Sequence, residues 1–199
     1  MITVVDYKLN NLRSIENTLR RLGHEVRVTS DPEDVRTATK LIMPGVGAFR
    51  DGIGNLRELG LFEPFKEKVK SGIPTLGICL GMHLLFTESE EFGLHSGLDL
   101  IPGRVVRLPA NLRVPHMGWN QLHPQRSNGL TKGLVESSFV YFVHSYYVQP
   151  QSPEIVLATT DYGIDFPAIV HWRNIWATQF HPEKSQKVGE QLLDNFARL

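Results

Sequence analysis

The chain has 199 residues, with 21 Lys and Arg balanced by 21 Asp and Glu, a formal net charge of zero and a single cysteine, Cys79. The charge balance argues against a nucleic-acid surface or a polybasic membrane patch; one cysteine excludes an internal disulfide framework and a Cys-cluster metal site; and no apolar stretch approaches bilayer-spanning length. The length suits one domain over 1–199 with a full core.

The opening run, Met1 to Asp6, reads as a strand and lacks the charged start and long apolar core of a signal peptide, so a cytoplasmic protein of a reducing compartment is expected. A polar loop through Asn10 and Asn11 leads into an amphipathic helix with Leu12, Ile15, Leu19 and Leu22 at helical spacing, stopped by Gly23. Residues 25–29 alternate as a second strand. Asp31-Pro32 reads as a cap and first-turn proline opening a short helix. Residues 41–43 form a third strand running into Pro44-Gly45-Val46-Gly47, whose glycines mark exposed backbone amides able to meet a ligand, or an ordinary strand-to-helix turn. Residues 56–70 read as mostly helical, interrupted near Gly60 and Pro64.

Next comes a short apolar strand ending in Gly77-Ile78-Cys79-Leu80-Gly81, followed by helix formers from Met82 to Glu88. A nucleophile between two glycines at a strand-to-helix turn is the G-x-nucleophile-x-G elbow with Cys for Ser. The helix start favours a thiolate. A small buried residue at a tight turn is the bland alternative.

The alternation predicts an α/β fold with a largely parallel central sheet flanked by helices, so that Cys79 and the 44–47 loop share the carboxyl edge of the sheet. The second half adds strand candidates at 104–108, 139–143, 155–159, 168–172 and 175–180, with a hairpin at Arg173-Asn174, as antiparallel additions, and a last helix from Ser185 to Leu199. The stretch 114–120 has no clean period and is placed near a surface or a site.

A thiol nucleophile needs a base, and the base an orienting partner. His181-Pro182-Glu183 follows a strand end; in an extended segment both side chains project the same way, with Glu183 orienting the imidazole. A loop capping the last helix explains the same residues without chemistry. His24 and His171 read as structural, His95 and His123 as solvated, and His144 as a core histidine. No H-E-x-x-H helix or tight ligand cluster is present, so no metal or cofactor is expected.

Four stretches together, 44–49, 77–82, 141–146 and 179–184, resemble the class I, triad-type glutamine amidotransferases. The 44–47 loop, Pro115-His116-Met117-Gly118-Trp119-Asn120 and residues 180–185 resemble more specifically the glutaminase subunits of imidazole glycerol phosphate synthase. The resemblance implies Cys79 as nucleophile, His181 as general base and acid, and Glu183 as the orienting carboxylate. It implies an oxyanion hole from Leu80, Val46 and Gly47, and a glutamine pocket from Gly45, His83, Ser145 and Tyr146. Asn10, Asn11, Trp119, Asn120 and Lys184 would face a partner, a TIM-barrel cyclase subunit in a heterodimer. The implied activity is hydrolysis of glutamine to glutamate and ammonia, with ammonia delivered to the cyclase in histidine biosynthesis. Delivery to a different synthase, a silent regulatory subunit of the same fold, and a cysteine hydrolase or redox protein are the other readings. Two positions depart from the family: His83 stands where Gln is common, and the loop at 7–11 lacks the glycines frequent there.

Overall fold

The computed structural model describes residues 1–9, 12–136 and 138–199. The first half alternates β1 (Ile2–Val5), α1 (Leu12–Arg21), β2 (Val26–Thr29), α2 (Pro32–Thr37), β3 (Leu41–Gly45), α3 (Phe49–Glu58), α4 (Phe62–Lys70), β4 (Thr75–Cys79) and α5 (Leu80–Leu85). The second half is mostly strands: β5 (Phe86–Ser89), β6 (His95–Ser96), β7 (Ile101–Arg107), β8 (His116–Gln121), β9 (His123–Pro124), β10 (Phe139–His144), β11 (Tyr146–Pro150), β12 (Val156–Asp161), β13 (Asp165–Trp172) and β14 (Ile175–Thr178), closed by α6 (Gln186–Ala197).

The central sheet runs β2-β1-β3-β4-β14-β13-β12-β9. Its first five strands pair in parallel and the rest antiparallel. Helices cover both faces, so β1 and β4 are buried along their whole length and read as apolar runs rather than alternations. One core lies between β1, β3, β14 and helices α3 to α5; the other takes the apolar residues of β4, is closed by α1 and α6 and holds Phe142, Phe166, Phe180 and Phe196. A second sheet, β11-β7-β5-β6, and a two-stranded ribbon, β10-β8, lean on this frame.

Local chemistry sets most boundaries. Asp31 Oδ1 accepts the Glu33 N–H at 2.9 Å, capping α2 with Pro32 in its first turn. Trp172 and Ile175 are paired across a two-residue turn in which Arg173 takes φ +56°, the hairpin expected at 173–174.

Three expectations are corrected. Helix α3 begins at Phe49, not near 56, and Gly60 breaks it from α4, whereas Pro64 lies within the first turn of α4, where its missing N–H has no intrahelical acceptor to lose. The helix after Cys79 stops at Leu85, because Phe86–Ser89 pairs with β6 and β7 and buries Phe86 completely. The aperiodic stretch at 116–121 is a strand: it pairs from His116↔His144 to Gln121↔Phe139, with Met117 and Trp119 exposed on the outer face.

Strands β3, β4 and β14 end at one edge of the sheet, with Gly45 paired to Cys79 and Thr178 to Ile78. The 44–47 loop, Cys79 and His181 therefore meet at the carboxyl ends of parallel strands, where sheets of this kind bind ligands. Among the described residues, no helix is long and apolar enough to cross a membrane.

Candidate active site

Cys79 caps α5 with φ +53° and ψ −109°, a backbone conformation that costs a non-glycine residue about 1–3 kcal/mol. The chain around it enforces this strain. A Cβ at Gly81 would fall 1.8 Å from the Met43 carbonyl oxygen, so β3 passes flush against the first turn of α5 and only glycine fits. The thiol is 6% exposed, and its hydrogen-bond contact is with the Val143 carbonyl at 3.9 Å.

His181 Nδ1 donates to Glu183 Oε1 at 2.8 Å, with both side chains almost fully buried. The pair is formed by a 3-10 turn at Pro182–Lys184, not by the extended segment expected from the sequence. That turn is bolted in place. The His181 N–H donates to the Tyr141 carbonyl at 3.0 Å. The Ser185 hydroxyl donates to the His181 carbonyl at 2.6 Å and accepts the Tyr141 N–H at 3.0 Å.

Burial alone would push the His181 pKa down. The negative charge of Cys79 and contact with it, then the hydrogen bond and charge of Glu183, raise it to about 10. His181 thus carries a proton opposite the thiol at neutral pH. Its Nε2 is buried and makes no aligned hydrogen bond, and the sulfur and the ring are coupled by charge. Contacts of this kind commonly tighten when substrate binds.

Cys79 opens into a cleft of about 280 Å³ lined by Gly47, Leu80, His83, Glu91, Pro115, Val143, His144 and Ser145. Glu91 accepts the Phe49 N–H at 2.7 Å, doing for α3 what no residue at its N-cap does. Burial raises its pKa, and the Phe49 hydrogen bond opposes this. His83 Nε2 donates to Gln179 Oε1 at 2.8 Å, and burial lowers its pKa to about 4. The ring is therefore neutral, with the proton on Nε2 and a bare acceptor at Nδ1.

A thiol beside a carboxylate-oriented imidazolium, in a cleft large enough for an amino acid, is equipped for acyl transfer. Residues 3–199 match the family described as Glutamine amidotransferase class-I. The chain belongs to the class-I glutamine amidotransferase family. It is 54% identical over 203 residues to "Imidazole glycerol phosphate synthase subunit HisH" of Syntrophotalea carbinolica, covering 98% of each chain. It is 48% identical over 198 residues to the protein of the same description from Moorella thermoacetica, covering 100% of this chain and 94% of that one. A solved structure described as "Crystal structure of glutamine amidotransferase" superposes with a TM-score of 0.79 at 22% identity, over the full length of both chains.

The class-I amidotransferase frame brings together most of the residues expected from sequence. Cys79, Leu80, Gly47, His83 and Ser145 line the cleft, with His181 and Glu183 bonded to each other. Gly45 lies beneath the loop against Tyr7, and Tyr146, at the start of β11, is not among the cleft-lining residues. The Val46 N–H donates to the Leu9 carbonyl at 2.8 Å. Trp119 and Lys184 are gathered outside the cleft around Tyr141, the indole edge-on at 6.1 Å and the ammonium 5.7 Å from the ring centre. Asn10 and Asn11 lie outside the described residues.

Four wall residues, Glu91, Pro115, Val143 and His144, were not foreseen as such. His144 ends a bonded series: Asn120 Nδ2 donates to His116 Nε2 at 3.3 Å, His116 Nδ1 to His144 Nε2 at 2.9 Å, and His144 Nδ1 to the Tyr146 carbonyl at 2.8 Å. His116 stacks between Tyr162 and Phe142 at 4.0 and 4.8 Å. Burial lowers the pKa of His116 to about 4 and of His144 to about 3, so both rings are neutral. The sequence signals were the 141–146 stretch, which holds Val143 and His144, and the aperiodic 114–120 segment, whose Val114-Pro115 bond the structure shows to be cis.

Proposed function

We propose that this chain is the glutamine-hydrolysing subunit of an imidazole glycerol phosphate synthase. The observation that carries the reading is Cys79, strained at its elbow, sharing one cleft edge with an imidazolium held by Glu183. The relatives' shared description as subunits of that synthase supports the choice of pathway.

In this reading Cys79 attacks the side-chain carboxamide carbon of glutamine as the thiolate, the thiol proton residing on His181. The Leu80 N–H, at the first position of α5 and without an intrahelical acceptor, meets the oxyanion. His181, already protonated, gives its proton to the departing nitrogen, and ammonia leaves. A γ-glutamyl thioester remains on sulfur. His181, now neutral, takes a proton from water as the water attacks the thioester, and glutamate is released with the thiolate and the protonated His181 restored. Glu91 offers a carboxylate to the substrate ammonium, and His83 Nδ1 an acceptor beside it.

Ammonia escaping into water is protonated and ceases to be a nucleophile, so the product must pass directly to a second active site. A TIM-barrel cyclase docked on the face bearing Trp119 and Lys184, with Asn120 beside Trp119 turned to the inner side of β8, is the partner in this reading. The test is labelling with an electrophilic glutamine analogue, and glutaminase assay with and without the cyclase and its nucleotide substrate. Modification at Cys79 that glutamine prevents, with turnover raised by the partner, is expected. Labelling elsewhere, or turnover indifferent to the partner, overturns the reading.

A further inference from the structure

Gln179 has no part in the chemistry above. It lies between β14 and His181 and is completely buried. Its backbone is fixed: its N–H donates to the Ala168 carbonyl at 2.9 Å, and the Thr178 hydroxyl donates to the Phe180 carbonyl at 3.1 Å. The side chain reaches across to α5, where Oε1 accepts the His83 Nε2 proton at 2.8 Å. Its own Nε2 makes no hydrogen bond. A buried N–H left unpaired destabilises the fold. A hydrocarbon chain of the same length would fill the space without that penalty, so the oxygen is what the amide contributes.

That oxygen decides which nitrogen His83 offers to the cleft. Burial lowers the His83 pKa to about 4, so the ring carries one proton. A neutral imidazole holds it on either nitrogen, and the partner of one nitrogen sets the role of the other. With Nε2 donating to Gln179, Nδ1 is an acceptor, and His83 lines the cleft with Cys79 and Glu91. His83 also stands about one turn along α5 from Cys79, roughly 5–6 Å between Cβ atoms. In glutamine, three carbon–carbon bonds of about 1.5 Å separate the carboxamide carbon from the α-carbon. A substrate attacked at Cys79 can therefore set its ammonium beside His83 and Glu91, where an acceptor binds it and a ring N–H would repel it.

We propose that Gln179 is a positioning residue that sets substrate specificity: by holding the Nε2 proton of His83 it keeps Nδ1 an acceptor, and the cleft selects ligands that carry an ammonium there. The proposal rests on the glutaminase reading and adds how its pocket recognises the amino group. Gln179 acts only through the ring of His83 and touches no substrate itself.

The test is Gln179→Met, which keeps the length of the side chain and removes the oxygen. Ring nitrogen and carbon NMR shifts of His83 are read on the chain alone. The kcat and KM for glutamine, and the inhibition constant of its deamino analogue glutaramate, are measured on the complex with the cyclase and nucleotide substrate. The parent is expected to show the Nε2–H tautomer, and the variant a shift towards Nδ1–H. The variant's KM for glutamine rises about tenfold, the worth of one hydrogen bond to a charged group, with kcat within about threefold. Glutaramate, which has no ammonium, binds both proteins within about twofold. A merely structural glutamine would weaken both ligands alike and lower kcat together with the melting temperature, and that result overturns the proposal. So does a KM within about twofold of the parent. So does an Nδ1–H tautomer in the parent, a result that stands even where the variant fails to fold. A parent complex that turns over no glutamine removes the glutaminase reading and the ammonium site with it, while the tautomer read on the chain alone is unaffected, so the two failures are told apart.

Discussion

His83→Gln isolates a single titration. In the native chain the ring is 5% exposed and gives its Nε2 proton to Gln179 at 2.8 Å; burial lowers its pKa to about 4, with that hydrogen bond opposing the shift. In the unfolded chain the same ring titrates at about 6.5. Between those values the unfolded chain binds a proton that the folded chain refuses. The stability this group confers is therefore complete above about 6.5 and is lost as the pH falls towards 4. At pH about 5 the loss amounts to about 2 kcal/mol. Glutamine has no such titration. Denaturant unfolding near pH 7.5 and near pH 5 should show the native chain losing about 2 kcal/mol more than the variant on acidification. His116 and His144, also depressed by burial, contribute to both proteins and cancel in the difference. Equal losses in the two proteins would refute the reasoning.

Glu183→Gln keeps the shape of the His181 partner but removes its charge; kcat for glutamine should drop by about two to four orders of magnitude with a small change in KM, read by steady-state assay of the complex. His181 is raised to about 10, so its folded-state proton stabilises the chain fully below about 6.5, and that contribution is lost as the pH climbs through about 10. His181→Asn should flatten this alkaline decline in unfolding free energy. Gly81→Ala places a carbon 1.8 Å from the Met43 carbonyl, and should either lower stability by about 1–3 kcal/mol or pull β3 from the elbow with loss of Cys79 reactivity; calorimetry and alkylation rates check it.

The sequence carried the parallel half of the fold because its strands are apolar runs or, in β2, a clean alternation, bounded by a cap, a glycine or a proline. The elbow was legible for the same reason: two glycines around Cys79 report a close approach, and Met43 supplies it. The His181–Glu183 pair was legible as residue types but not as geometry, since a proline between them suits an extended segment and a 3-10 turn alike. Strand β8 was hidden because its alternation is inverted: polar His116 is buried among aromatic rings while apolar Met117 and Trp119 face outwards on either side of a glycine at φ +133°. Glu91 was hidden too. Its place in the cleft depends on Phe86 beginning a strand where helix propensity runs on, and propensity yields to pairing with β6 and β7.

The series from Asn120 through His116 and His144 to the Tyr146 carbonyl has only one possible polarity. A carbonyl cannot donate, so each proton in turn is assigned, back to the amide of Asn120. No lone pair on His144 is left over, and its neutral ring has no proton to release without breaking the seam that joins β8 to β10. Though it stands in the cleft wall, it can neither relieve nor compete with His181. Of the imidazoles around the sulfur, the two at β10 and beyond β14 therefore have opposite fates: His144 is made inert by the strand beside it and His181 is kept charged.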